Sequence, residues 1–211
     1  MLLSIKEHSL LYWTGICIIA LLAASPFLSR TLVHPRVEFF TELWILDADR
    51  RGENYPYNIT RGQTYTIHLG ITNHLGCCAY YIVQVKFRNQ SQPAPTSFGP
   101  LKNRSPSILP SLLNISVFVA NEQSVEIPIT FSFNYILDEH SPEIKLLSLK
   151  LNEILLNIDN CLISWDPERK AFQGFLFFEL WLYNITTNNF HYHGCFTGLW
   201  LNMTISSENL R

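Results

Sequence analysis

The chain has 211 residues, with 15 Lys and Arg against 17 Asp and Glu and a formal net charge of −2. A near-neutral balance without any Lys/Arg run excludes the electrostatic footprint of a nucleic-acid binder. A hydrophobic share of 47% and an aromatic share of 13% are enough to fill the core of one domain.

Residues 1–9 form a short leader, and Leu10 to Leu28 run without a charge. At about 1.5 Å per residue, that run matches a hydrocarbon core about 30 Å thick. A cleaved secretory signal would use Ala23-Ala24-Ser25, but Pro26 follows directly and opposes cleavage. The run therefore reads as an uncleaved transmembrane signal-anchor at 10–28. Six Asn-x-Ser/Thr triplets, at Asn58, Asn89, Asn103, Asn114, Asn184 and Asn202, all lie C-terminal to it. As glycan acceptors they require that side to be extracellular, which leaves 1–9 in the cytoplasm.

From residue 37 to 205 the pattern is that of short strands. Phe39 to Leu46 is β-rich, and Asp47 to Pro56 is a turn region. Across 64–72, Tyr65, Ile67, Leu69 and Ile71 share one face; Tyr81, Val83, Val85 and Phe87 do the same in the next strand. Short and strong strands follow around Ile115–Val119 and Val125–Phe133. Pro128 lacks an N–H and predicts an edge or bulge there. Residues 144–158 fit a helical stripe or two alternating runs broken at Asn152-Glu153, and the neighbouring strands favour the second. Segments 176–184 and 199–205 complete the set. Between the strands, 88–110 carries Pro93, Pro95, Pro100, Pro106 and Pro110, which cannot donate to a ladder and predict an exposed loop. Seven or eight short strands in one domain predict a mainly β fold, an immunoglobulin-like antiparallel β-sandwich.

Of the five cysteines, Cys17 falls inside the apolar run. Cys77, Cys78, Cys161 and Cys195 form an even set, and bridges from the first two to the last two are expected, with connectivity open. His191-x-His193-x-Cys195 is a weak metal candidate, because alternate strand residues share a face. A hairpin tip with two exposed histidines and a Cys in a bridge is the favoured account, so no metal and no cofactor is expected. Asp47-x-Asp49 lacks the further carboxylates of a calcium loop and reads as a turn. No nucleophile elbow, zinc-protease motif or phosphate loop is present, and the expectation is a protein that is not an enzyme. Phe175, Phe177, Trp181 and Tyr183 line one face of a strand around Glu179, opposite Leu176, Phe178, Leu180 and Leu182. They form either an interface for a protein partner or surface glycan, or the second covered face of a central strand.

The runs Phe40-Thr41-Glu42-Leu43-Trp44-Ile45-Leu46, Gly52-Glu53-Asn54-Tyr55-Pro56, Asn58-Ile59-Thr60, Gly62-Gln63 and Leu69-Gly70-Ile71-Thr72-Asn73-His74 are ordered landmarks. They resemble the archaeal membrane proteins of the domain of unknown function 1616 family. There a similar series follows a membrane helix. The resemblance covers about 40 residues, thins beyond Phe87 and departs in having one apolar segment rather than several. It implies an archaeal surface protein with a juxtamembrane β domain, and it implies no activity. The resulting expectation is a single-pass cell-membrane protein whose extracellular domain is a structural or interaction module. The alternatives are a non-catalytic accessory subunit of a membrane complex and a surface carbohydrate-binding module.

Overall fold

The computed structural model describes residues 3–32, 39–96, 103–138 and 141–204, with side chains 9 and 12–25 of the first segment described. The chain divides into two compact units, 1–38 and 39–211. In the first, helix α1 spans Leu3–Leu32 and carries the charge-free run. Trp13, Ile16, Ile19 and Leu22 on it are exposed. Among the described residues, however, no helix is long and apolar enough to cross a membrane. The expected transmembrane helix at 10–28 is therefore unsupported. Tyr12, Thr14, Gly15 and Ser25 dilute the apolar character of the described stretch.

The second unit holds ten strands: β1 Phe40–Leu46, β2 Asn58–Thr60, β3 Tyr65–His74, β4 Ala79–Arg88, β5 Leu113–Val119, β6 Gln123–Leu137, β7 Glu143–Leu151, β8 Ile154–Asp166, β9 Ala171–Asn184 and β10 Asn189–Thr204. One half of the sheet runs β1-β3-β6-β7-β8, and the other runs β5-β4-β9-β10-β2. Every pair is antiparallel except β2 with β10. Among the described residues, the halves are joined by strand pairing only where β8 turns into β9, at Trp165↔Phe172 and Asp166↔Ala171. The sheet thus curls so that the inner faces of both halves share one core.

That core follows directly from the period-2 pattern. Ile67, Leu69 and Ile71 of β3 and Ile129, Phe131 and Phe133 of β6 come from one half. Tyr81, Val83 and Val85 of β4 and Leu176, Phe178 and Leu180 of β9 come from the other. Each fully buried large side chain contributes roughly 1.5–3 kcal/mol of burial energy. Residues 143–166 form the two strands β7 and β8 rather than a helix. Asn152 (φ 44°) and Glu153 (φ 70°) supply the two left-handed positions of the turn between them. Pro128 sits in β6 where only β3 pairs with it, because β7 joins β6 from Phe131 onward. Its missing N–H therefore faces the open side.

Candidate functional site

The half-sheet β5-β4-β9-β10-β2 turns its second face away from the core, and that face is densely aromatic. The registers set it out in rows. Arg88, Phe175 and Trp200 are neighbours across β4, β9 and β10; Lys86, Phe177 and Gly198 form the next row. Gln84, Glu179 and Phe196 follow, then Ile82, Trp181 and Tyr192.

In the centre of this face lies an ion pair shut off from water. Lys86 Nζ donates to Glu179 Oε2 at 2.8 Å, with the side chains 3% and 0% exposed. The Pro-rich segment covers it. The Ser107 N–H donates to Glu179 Oε1 at 2.6 Å, and Lys86 Nζ also donates to the Ser107 carbonyl at 2.9 Å. The backbone of one strap residue therefore satisfies both charges. Burial without those bonds would cost several kcal/mol per ion. The strap is held elsewhere too: Arg104 donates to the Gly194 carbonyl at 3.0 Å, and Tyr192 Oη donates to the Thr96 carbonyl at 3.2 Å. At its start, Asn89 and Gln90 donate to the Leu162 and Ser164 carbonyls of β8. The strap thus also closes an open sheet edge.

Packing beneath the strap is tight. Phe175 and Phe177 stack with centroids 5.5 Å apart. Arg88 lies 5.4 Å from the Phe175 ring centre and 5.1 Å from that of Trp200, and burial lowers its pKa. A Cβ at Gly198 would meet the Leu176 carbonyl at 2.6 Å, Phe177 Cβ at 2.7 Å and Phe175 Cζ at 2.8 Å, so only glycine lets β10 approach there. Phe175 and Phe177 are buried, packed against each other and against Phe196, and the interface expected of them is corrected: both rings are already covered within this chain. Trp181 and Tyr183 remain half-exposed.

Beyond the strap the face stays open. Phe118 stacks on Tyr80 with centroids 4.1 Å apart and 7° between planes, and Phe190 meets both Tyr80 and Tyr183 at 5.2 Å. This row spans β5, β4, β9 and β10. Phe118, Tyr80 and Tyr183 of this row border a groove of about 860 Å³ that Leu182, Asn184, Ile185 and His191 also line.

At the same end a directional hydrogen-bond relay ties the two half-sheets together. His193 Nε2 lies 3.0 Å from Thr41 Oγ1, which lies 2.9 Å from Tyr81 Oη, and Tyr81 Oη donates to Asn73 Oδ1 at 3.3 Å. Because the Tyr81 proton goes to Asn73, Thr41 donates to Tyr81, and His193 carries its proton on Nε2. Asn73 Nδ2 then donates to the Cys77 and Val119 carbonyls at 2.8 and 2.9 Å. Burial lowers the His193 pKa and raises that of Tyr81.

The weak metal candidates do not converge. His191 is exposed and bonds Thr187, whereas His193 turns toward Thr41. The bulge between Tyr192 and Phe196, with Gly194 at φ 75°, breaks the alternation that would have aligned them with Cys195. Among the described residues, no three His, Cys, Asp or Glu side chains form a metal-holding group. The expected disulfides are not formed. Cys77 and Cys78 are exposed free thiols, Cys161 is buried and Cys195 is half-buried. Burial pushes both Cys161 and Cys195 up to about 11, which keeps them protonated and unreactive. Asp47 forms the expected turn, its carboxylate accepting the Asp49 and Arg51 N–H groups.

The acceptor asparagines differ in environment. Asn58, Asn103, Asn114 and Asn184 are exposed. Asn89 Nδ2 is engaged with Leu162, and its Oδ1 accepts from Ser91 and Gln92. Asn202 Nδ2 donates to Asn58 Oδ1 at 2.9 Å while its Oδ1 accepts from the Phe172 N–H, so its amide joins β2 to β9. Sequence patterning overlooked Lys86 and Ser107. A Lys among the outward residues of β4 and a Glu on β9 were the only signals, 93 residues apart in the chain.

No family model and no curated protein matches the chain.

Proposed function

We propose that the β unit is an immunoglobulin-like display module outside the cell, with a structural or interaction role and no catalysis, tethered by the N-terminal apolar helix. The observation that carries this reading is the strand order. One half-sheet, β1-β3-β6, follows the A-B-E arrangement, and the other, β2-β10-β9-β4-β5, follows A′-G-F-C-C′ with β2 parallel to β10. The hairpin β7–β8 is an addition beside β6. Four exposed acceptor triplets on this unit and the charge-free run before it support the extracellular, membrane-linked location.

The resemblance to the domain of unknown function 1616 family fits the same reading. Its landmarks Phe40–Leu46 and Leu69–His74 lie in strands that pair with each other, Trp44 opposite Gly70. They are features of fold rather than chemistry. The carbohydrate-binding alternative built on Phe175, Phe177, Trp181 and Tyr183 loses its basis, since Phe175 and Phe177 are buried within this chain.

The exposed Cys77 and Cys78 provide the test. A membrane-impermeant maleimide should label intact cells expressing the full chain, and the protein should stay in the membrane pellet after a carbonate wash. Labelling only after lysis, or release by carbonate, would sink this proposal.

A further inference from the structure

The open aromatic row is the feature that the strap leaves unexplained. Phe118 is 67% exposed and Ile185 is 87% exposed, although both border a groove lined mainly by apolar and aromatic side chains. Elsewhere on the same face, the rings of Phe175 and Phe177 are buried within this chain. Here none of the described residues covers them, yet one wall of the groove is an acceptor: Asn184 of the triplet Asn184-Ile185-Thr186 lines it.

We infer that the row Phe118–Tyr80–Tyr183–Phe190 is the seat of an N-linked glycan carried by Asn184. The inference rests on the extracellular reading above and names a site and a ligand class that it leaves open. Three observations carry it. Asn184 Oδ1 accepts the Thr186 N–H at 2.8 Å, which fixes the side chain at the β9–β10 turn and leaves Nδ2, the atom that takes the sugar, outside that bond. The Asn188 side chain, which could crowd that turn, is tied back by the Tyr183 hydroxyl. Phe118 and Tyr80 are parallel to within 7° and stacked face to face at 4.1 Å, so Phe118 covers one face of Tyr80 and, 67% exposed, offers its own outer face as the platform. An N-acetylhexosamine presents an apolar C–H face to such rings while its hydroxyls stay in water. Stacking of one or two sugar rings holds a free saccharide weakly. Tethered at Asn184, the same sugars sit at an effective concentration on the order of millimolar, enough to keep them on the row.

The test uses the full chain from a host that N-glycosylates secreted proteins. Glycopeptide mass spectrometry reads occupancy at each acceptor. Thermal unfolding compares the parent with Thr186→Ala, which removes the triplet but keeps the Asn184 turn, and with Thr186→Ser, which keeps both. The same series is repeated in a Phe118→Ala background, where the exposed ring is lost without touching the core. The expected result is occupancy at Asn184 and a Tm lower by about 2–4 °C in Thr186→Ala, restored in Thr186→Ser. The difference should vanish in Phe118→Ala. Occupancy at other acceptors with Asn184 bare, or an undiminished Tm difference without the Phe118 ring, overturns the inference and leaves the extracellular reading standing. No occupancy at any acceptor overturns both.

Discussion

At the scale of single residues, the most consequential arrangement is the Lys86–Glu179 pair. Its two charges are satisfied by each other and by Ser107. Glu179→Ala therefore strands a buried ammonium and should lower stability by about 3–5 kcal/mol, read as a drop in denaturant midpoint. The double variant Lys86→Met/Glu179→Leu should recover much of that loss, because no unpaired charge remains. A pair that is merely rim-exposed would show neither effect.

His193 supports a second residue-scale prediction. Burial depresses its pKa, so the folded state favours the neutral ring. Its stabilising contribution is complete above the unfolded imidazole value of about 6.5 and is lost as pH falls below it, where the unfolded chain binds the proton more readily. Denaturant midpoints should fall between pH 8 and pH 5 more in the parent than in His193→Gln. Equal falls would place the proton uptake elsewhere.

Elements bring a different kind of constraint. Strand β9 is buried on both faces from Ala171 to Leu180: the core takes one face, while the other packs against Arg88, Trp200 and Phe196 and, at Glu179, under Ser107 of the strap. The fit leaves no room at Gly198, where Gly198→Ala should cost about 1–3 kcal/mol by overpacking even though an alanine suits a strand backbone. A smaller loss, below about 0.5 kcal/mol by thermal unfolding, would mean that the Phe175 and Phe177 rings shift freely. The β7–β8 hairpin shows how one element fixes another. Asn152 sits at positive φ, and its Oδ1 accepts the Thr130 N–H of β6 at 2.8 Å. Alternation around Asn152-Glu153 marked that break in the sequence. Strand β2 escaped notice because three residues carry no periodicity, and its existence depends on pairing with β10.

For the whole molecule, the two half-sheets unfold as one because they share a core and a hydrogen-bond relay from His193 through Thr41 and Tyr81 to Asn73. Thiol reactivity should report this. In native protein, two of the four thiols in the β unit, Cys77 and Cys78, should react within minutes with a thiol reagent. Buried Cys161 should react only at the rate or population of global opening, and faster in step with added denaturant, with half-buried Cys195 between it and the exposed pair. Rapid reaction of all four would show that the two half-sheets separate easily.

The alternation of apolar residues determined, by itself, that the chain beyond residue 39 forms strands and which side chains enter the core. Burying every second residue is the one arrangement that removes Ile67, Leu69 and Ile71 or Leu176, Phe178 and Leu180 from water together. The charge-free run likewise dictated a helix over its length. Only the tertiary structure decided what happens on the second face of β9. There the outcome depends on a strap that returns 21 residues after Lys86 to lay Ser107 across Lys86 and Glu179, and on His193 reaching across to Thr41 while His191 bonds Thr187. Both are contacts between distant segments, and local periodicity carries no information about which distant backbone will satisfy a buried charge.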